Sequence, residues 1–175
     1  MSETTPEERA RTFLATRKTL EMATVDTGGR PTASQAPYIY SGGTFYVYTS
    51  GLSRHTDDLL KTKKVSILLV EDEVSAQNIF ARKRITFSCR VATVRRDSAA
   101  WREVIGLFRN AFGPVFDVIE PLRDFTLFRL TPKEAIYVEG FGRAYRMTGN
   151  LKGAVHVKGT GPGAKVYKGK REPEK

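Results

Sequence analysis

Arg84-Ile85-Thr86-Phe87-Ser88-Cys89-Arg90-Val91-Ala92-Thr93-Val94 alternates apolar and polar side chains with a period of two. Ile85, Phe87, Cys89 and Val91 fall on one side, and Arg84, Thr86, Ser88 and Arg90 on the other. That is the pattern of a strand with one face in a core and the other turned outward. Such clean alternation belongs to antiparallel sheets, because strands of parallel sheets are buried on both faces and read as continuous apolar runs.

The segments around it read the same way. Leu20 to Val25 alternates, with Leu20, Met22 and Thr24 on one face, and Asp26-Thr27-Gly28-Gly29 supplies hairpin turn chemistry. Pro31 to Tyr40 contains Pro37, which predicts an edge position or a bulge. Ser41-Gly42-Gly43 turns the chain into Thr44–Thr49, and Val65 to Val70 is a short apolar run suited to a buried strand. Phe125–Leu130 and Ala135–Tyr145 are two further strands separated by Thr131-Pro132, the second carrying Gly140 and Gly142 inside it. Helices are few. Thr5-Pro6-Glu7-Glu8 is a capping box that opens a helix to about Leu14. Ser53 starts a helix to Lys61. Asp97 or Ser98 caps an amphipathic helix to Phe112 with Trp101, Val104, Ile105 and Phe108 on one stripe. Gly113-Pro114 breaks it, and a short helix follows to Ile119. About seven strands joined by short hairpins give a mainly β fold with peripheral helices, an antiparallel barrel. The expected organisation is one domain over residues 1–148, with a helical insertion at 97–120, and a basic, glycine-rich, mobile tail at 149–175.

The 175 residues carry a net charge of +10. Half of that excess lies beyond Asn150, where seven Lys and Arg residues face two Glu. A solvated tail of this kind is no groove reader, and the remainder shows no helix-turn-helix, zinc-finger or aromatic-basic motif, so no nucleic-acid partner is expected. No run is apolar enough to span a membrane, and the N-terminus has no signal-peptide core. The single cysteine, Cys89, reads as a buried structural thiol, and the reading is a cytoplasmic protein. The absence of HExxH, a Walker loop or a nucleophile elbow removes three enzyme classes. The only histidines are His55 and His156, which excludes a multi-histidine metal site within one subunit.

What remains is a corner and a cluster. Thr44–Thr49 runs into Ser53-Arg54-His55-Thr56-Asp57-Asp58-Leu59, where helix-start N–H groups and an arginine can meet on a phosphate or carboxylate and a histidine can titrate or ligate. Arg82-Lys83-Arg84 opens the cleanest strand, either as charges guarding an edge or as a clamp for the acidic groups of a cofactor. Asp124, just before a strand, is a turn residue or a group that orients a histidine.

Five segments, in order, resemble the haem-utilisation branch of the pyridoxamine 5′-phosphate oxidase-like FMN-binding split barrels. They are Leu20-Glu21-Met22-Ala23-Thr24-Val25-Asp26, Ser53-Arg54-His55-Thr56, Asn78-Ile79-Phe80-Ala81-Arg82-Lys83-Arg84, Asp124-Phe125-Thr126-Leu127-Phe128-Arg129-Leu130-Thr131-Pro132 and Gly140-Phe141-Gly142-Arg143-Ala144-Tyr145. The resemblance spans Phe13 to Thr148. It implies a six-stranded antiparallel split β-barrel that forms a homodimer, with two equivalent cofactor sites at the interface. Haem is the cofactor first implied, with oxidative breakdown by an external electron donor in some members; FMN oxidoreductases and non-enzymatic haem storage or delivery are the alternatives.

Residue by residue, flavin-binding relatives hold the FMN phosphate with a basic pair that falls here at Ala33 and Tyr38, and a second pair of which only Arg54 survives, with His55 replacing lysine. Tyr48, Thr49, Ser53 and Arg54 would surround that phosphate, while Arg82, Lys83 and Arg84 would meet haem propionates. In the haem branch, residues matching His55 and Asp124 pair across the interface beside the haem. The tail histidine that ligates iron in haem-degrading relatives falls in Gly159-Thr160-Gly161-Pro162-Gly163, leaving His156 and Tyr167 as the candidate ligands.

Overall fold

The computed structural model describes residues 4–157. Six strands close into an antiparallel barrel: β1 (Thr19–Val25), β2 (Pro31–Ser41), β3 (Thr44–Ser50), β4 (Lys64–Val70), β5 (Arg84–Val94) and β6 (Phe125–Gly140). The ladder runs β3-β2-β1-β4-β5-β6, and β3 pairs with β6 to close it. Two short strands, β7 (Arg143–Thr148) and β8 (Val155–His156), extend the sheet beyond β6. Four helices decorate it: α1 (Pro6–Ala15), α2 (Arg54–Thr62), α3 (Ala99–Phe112) and α4 (Pro114–Ile119).

The barrel interior is the inward half of each alternating strand. Leu20 and Met22, Phe45 and Val47, Ile67 and Leu69, Ile85 and Phe87, and Phe128 and Leu130 are all buried, each contributing about 1.5–3 kcal/mol of hydrophobic stabilisation. Phe45 sits at the middle, with ring centroids 5.0 Å from Phe87 and 4.7 Å from Tyr40. α1 closes one end. Its capping box is formed, with the Thr5 hydroxyl accepting from the Glu8 N–H and the Glu8 carboxylate accepting from the Thr5 N–H, and it buries Ala10, Phe13 and Leu14. A second apolar cluster lies outside the barrel, where α3 and α4 press Trp101, Ile105, Phe108 and Phe116 onto Tyr48 and Leu127.

Proline and glycine produced three departures from expectation. Pro37 lies at neither an edge nor a bulge. β2 pairs with β1 through Pro37 and with β3 from Tyr38 onward, so the residue without an N–H sits where the strand changes partner and the barrel splits. Thr131-Pro132 does not separate two strands, because β6 runs unbroken for 16 residues. Pro132 opposes Cys89 where the register with β5 shifts, and a bulge absorbs the missing donor. The chain also passes tightly there, since a Cβ on Gly149 would lie 2.3 Å from the Pro132 carbonyl oxygen. Finally, only Gly140 lies in a strand, as the last residue of β6, and Phe141-Gly142, with Gly142 at φ +68°, forms the turn into β7.

Beyond β7 the chain returns to the barrel. Leu151 is fully buried, and β8 pairs with β7 at Tyr145 and Arg146.

Candidate functional site

β3 delivers the chain to α2 through Ser50-Gly51-Leu52-Ser53, and Asp124 pins that corner. The Ser50 hydroxyl donates to Asp124 Oδ2 (2.7 Å), and the Gly51 N–H donates to the Asp124 carbonyl (2.7 Å). A Cβ at Gly51 would lie 3.1 Å from that carbonyl, so glycine permits the approach. The Thr56 hydroxyl donates to the Ser50 carbonyl (2.6 Å) and stands 2.9 Å from the hydroxyl of buried Thr49. Ser53 occupies the N-cap position of α2 with no cap hydrogen bond from its side chain. The Thr56 N–H donates to the Ser53 carbonyl (3.0 Å), and Leu52 beside this helix start is 94% exposed.

His55 lies in the first turn of α2 and is half-buried. Burial lowers its pKa, and the Asp58 carboxylate one turn later opposes that, leaving the imidazole below the ordinary histidine value. Asp58 itself is buried, with Oδ2 accepting from the Thr24 hydroxyl at 2.7 Å. Arg54 turns the other way, 3.5 Å from Asp26 Oδ2, an oxygen it shares with Arg30.

The remaining residues singled out from sequence lie elsewhere. The Tyr48 hydroxyl is buried under α4, donating to the Glu120 carbonyl (2.9 Å) and accepting from Arg96 (2.6 Å). Arg82 braces the β4–β5 connection by donating to the Glu71 carbonyl and to Glu73 Oε1 (3.2 Å). Arg84 donates to the Arg82 carbonyl (3.0 Å), and Lys83 lines a separate polar groove of about 700 Å³ beside α1. His156 Nε2 donates to the Gly142 carbonyl (2.6 Å), and its ring meets Tyr145 edge-on at 5.4 Å. Tyr167 lies outside the described residues, as does the Gly159–Gly163 segment.

These placements fall into two groups. Ser50 pairs with Phe125 at the start of β6, whereas Arg84 pairs with Val138 near its end. Thirteen strand residues, roughly 40 Å of chain, separate them. The structure gathers Ser53, Arg54, His55 and Asp124 at one end and Arg82, Arg84 and His156 at the other.

For an FMN phosphate the corner is poorly equipped. Ala33 offers no donor, Tyr38 donates its hydroxyl to the Leu14 carbonyl (3.1 Å), and the Tyr48 and Thr49 hydroxyls already have partners. Arg54 and the α2 N-terminus remain, so most of the charge-assisted bonds such a dianion needs are missing.

Sequence reading passed over Glu139 and Arg96. Glu139 is buried between Arg9 and Arg143, with Oε2 2.7 Å from Arg9 Nε and Oε1 2.8 Å from Arg143. Arg96 reaches Tyr48 and the Leu122 carbonyl (2.6 Å) and lies over the Trp101 ring at 5.3 Å. Neither stands in a motif; only three-dimensional packing marks them.

A closed six-stranded antiparallel barrel, split at Pro37 and carrying an α2 corner beside β3, defines the class of FMN-binding-type split barrels. The pyridoxamine 5′-phosphate oxidase family profile matches residues 6–139, and the chain belongs to that family. Haem oxygenase HutZ of Vibrio cholerae is 41% identical over 152 residues, covering 86% of each chain. A crystal structure of HutZ from the same organism, described as a haem storage protein, superposes with a TM-score of 0.69 at 42% identity, covering 71% of this chain and 88% of that one. Campylobacter jejuni ChuZ shares the fold, with a TM-score of 0.82 at 24% identity over 95% of this chain and 68% of that one.

Proposed function

We propose that this protein binds haem in a pocket shared by two protomers and opens the macrocycle oxidatively, with electrons from an external donor, to release iron. The observation that carries this reading is the 41% identity with a haem oxygenase along 86% of both chains. Haem is here the substrate. The protein's share is to bind it, exclude water and manage protons beside the iron.

The two-protomer site is supported by the resemblance of Ser53-Arg54-His55-Thr56 and Asp124-Phe125 to the haem-utilisation split barrels, whose sites lie at a dimer interface. A second copy also accounts for apolar side chains left open: Ile79 and Phe80 (83% exposed) on the β4–β5 connection, and Leu68, Val70, Ile136 and Val138 on the outer face of β4 and β6. In that dimer the partner of His55 is an Asp124 from the other protomer. The carboxylate fixes the imidazole's tautomer and orientation, which leaves the other ring nitrogen to exchange a proton beside the iron. The setting is the cytoplasm, where a reductant is at hand; among the described residues no helix is long and apolar enough to cross a membrane.

Haem storage without turnover is the second reading. It is favoured by Gly159-Thr160-Gly161-Pro162-Gly163 at the place where the family resemblance implies the ligating histidine of haem-degrading members.

Titration with haemin tests these readings. The expected result is a saturable Soret band at one haem per protomer, decaying in air with a reductant as bile-pigment absorbance grows, and slowed about tenfold or more in Asp124→Asn. A stable Soret band under reductant would establish storage. A yellow protein that retains FMN and shows no specific haem spectrum would overturn both.

A further inference from the structure

Lys64 and Arg90 are direct cross-strand partners on the outer face of the barrel. Like charges placed opposite one another in an antiparallel pair repel, and strands normally avoid them. Here the repulsion is compounded by Lys133, which the β5–β6 bulge brings to the same spot. All three side chains are exposed, and none has an ion-pair or hydrogen-bond partner among the described residues. Glu134, on the same face, opposes Ser88 and forms no ion pair with any of them.

The cations ring a hollow of about 390 Å³. Ala23, Val25, Ser66 and Ser88 line it, so its surface is small and mostly apolar. Three unpaired cations around such a floor suit an anion carried on an apolar body. We infer that the Lys64–Arg90–Lys133 hollow is a carboxylate-binding site, and that it receives the acidic edge of the porphyrin substrate. The inference rests on the haem reading for the identity of the ligand, but not for the existence of the anion site. It differs from the expectation drawn from sequence, which gave the propionates to Arg82, Lys83 and Arg84. Arg82 and Arg84 are already tied to backbone carbonyls.

Metal-free protoporphyrin IX and its dimethyl ester, titrated by fluorescence into wild type and the Lys64→Gln/Arg90→Gln variant, separate the outcomes. The diacid is expected to lose about tenfold to a hundredfold affinity in the variant, while the diester binds both proteins equally. The ligand-free variant is expected to melt about 1–3 °C higher, because a repulsive pair is gone. Unchanged diacid affinity, or equal loss for diacid and diester, overturns the site and leaves the haem reading standing. If wild type binds neither porphyrin, the haem reading fails and citrate decides the site. Citrate that raises the melting temperature of wild type alone supports a carboxylate site for another ligand, and citrate that raises neither overturns it.

Discussion

The two ends of β5 are both basic, yet they use their charge differently. At its start, Arg82 and Arg84 turn back on the chain and donate to the carbonyls of Glu71 and Arg82. At the far end of its ladder with β4, Arg90 faces Lys64, and neither has a partner among the described residues. The first cluster is conspicuous in sequence because its members are consecutive. The second is invisible there, since Lys64, Arg90 and Lys133 come together only through strand register and a bulge. A run of basic residues records where charge lies along a chain, whereas availability depends on which acceptors the fold has already supplied.

Substitutions sharpen that contrast. The largest effect is expected at Glu139, whose buried carboxylate is paired with both Arg9 and Arg143. Removing its carboxylate in Glu139→Ala leaves Arg9 and Arg143 without their shared acceptor and should cost about 3 kcal/mol, read as a lower urea midpoint. The same group has a pH signature. Burial raises its pKa, but the bonds from Arg9 and Arg143 outweigh this and hold it below the ordinary glutamate value. Its contribution is therefore complete above the unfolded-state pKa near 4.5 and is lost as pH falls through the lower folded value. Acid titration of stability should show that loss in wild type and its absence in Glu139→Gln.

Arg82→Ala should be milder, costing about 1–2 kcal/mol through the unbraced Glu71 carbonyl while leaving diacid porphyrin affinity within about twofold. A large loss of affinity with unchanged stability would reverse the roles assigned to the two ends of β5. The smallest effect concerns His55. Burial depresses its pKa, so the folded state resists protonation and loses stability as pH drops below the unfolded value near 6.5. Proton NMR of the two histidines, with His156→Gln for assignment, should give His55 a midpoint below 6.5, lowered further in Asp58→Asn. A midpoint at or above 6.5 would mean that solvent or the paired Asp124 carboxylate outweighs burial, and Asp124→Asn separates the two.

Much of this fold was legible beforehand because period-two alternation is a local signal. Ile85, Phe87, Cys89 and Val91 are all buried as read, and Leu20, Met22 and Thr24 face inward. Burial pushes the Cys89 thiol up to about 12, the inert thiol its position implied. The reading failed where proline and glycine act through neighbours: Pro132 tolerated opposite a bulge, Pro37 at a change of partner, Gly142 in a turn. The site was legible only as types. Ser53, Arg54 and His55 share a helix start and could be read together, but Asp124 joins them by closing β6 onto β3, a pairing across 75 residues. Nothing local announces such a contact. Glu139 and Arg9 meet across 130 residues for the same reason.

That closure also sets a clock. β3, with the aromatic and β-branched sequence Thr44-Phe45-Tyr46-Val47-Tyr48-Thr49-Ser50, has one edge satisfied by β2 and the other waiting for β6. At ordinary synthesis rates of about 5–20 residues per second, the ribosome needs roughly 4–15 s to deliver the partner. During that interval the nascent chain carries an open, sticky ladder with no internal remedy. A strand paired on both sides when the barrel is finished is thus exposed while it is being made, and its yield in the cell depends on what shields β3 until Phe125 emerges.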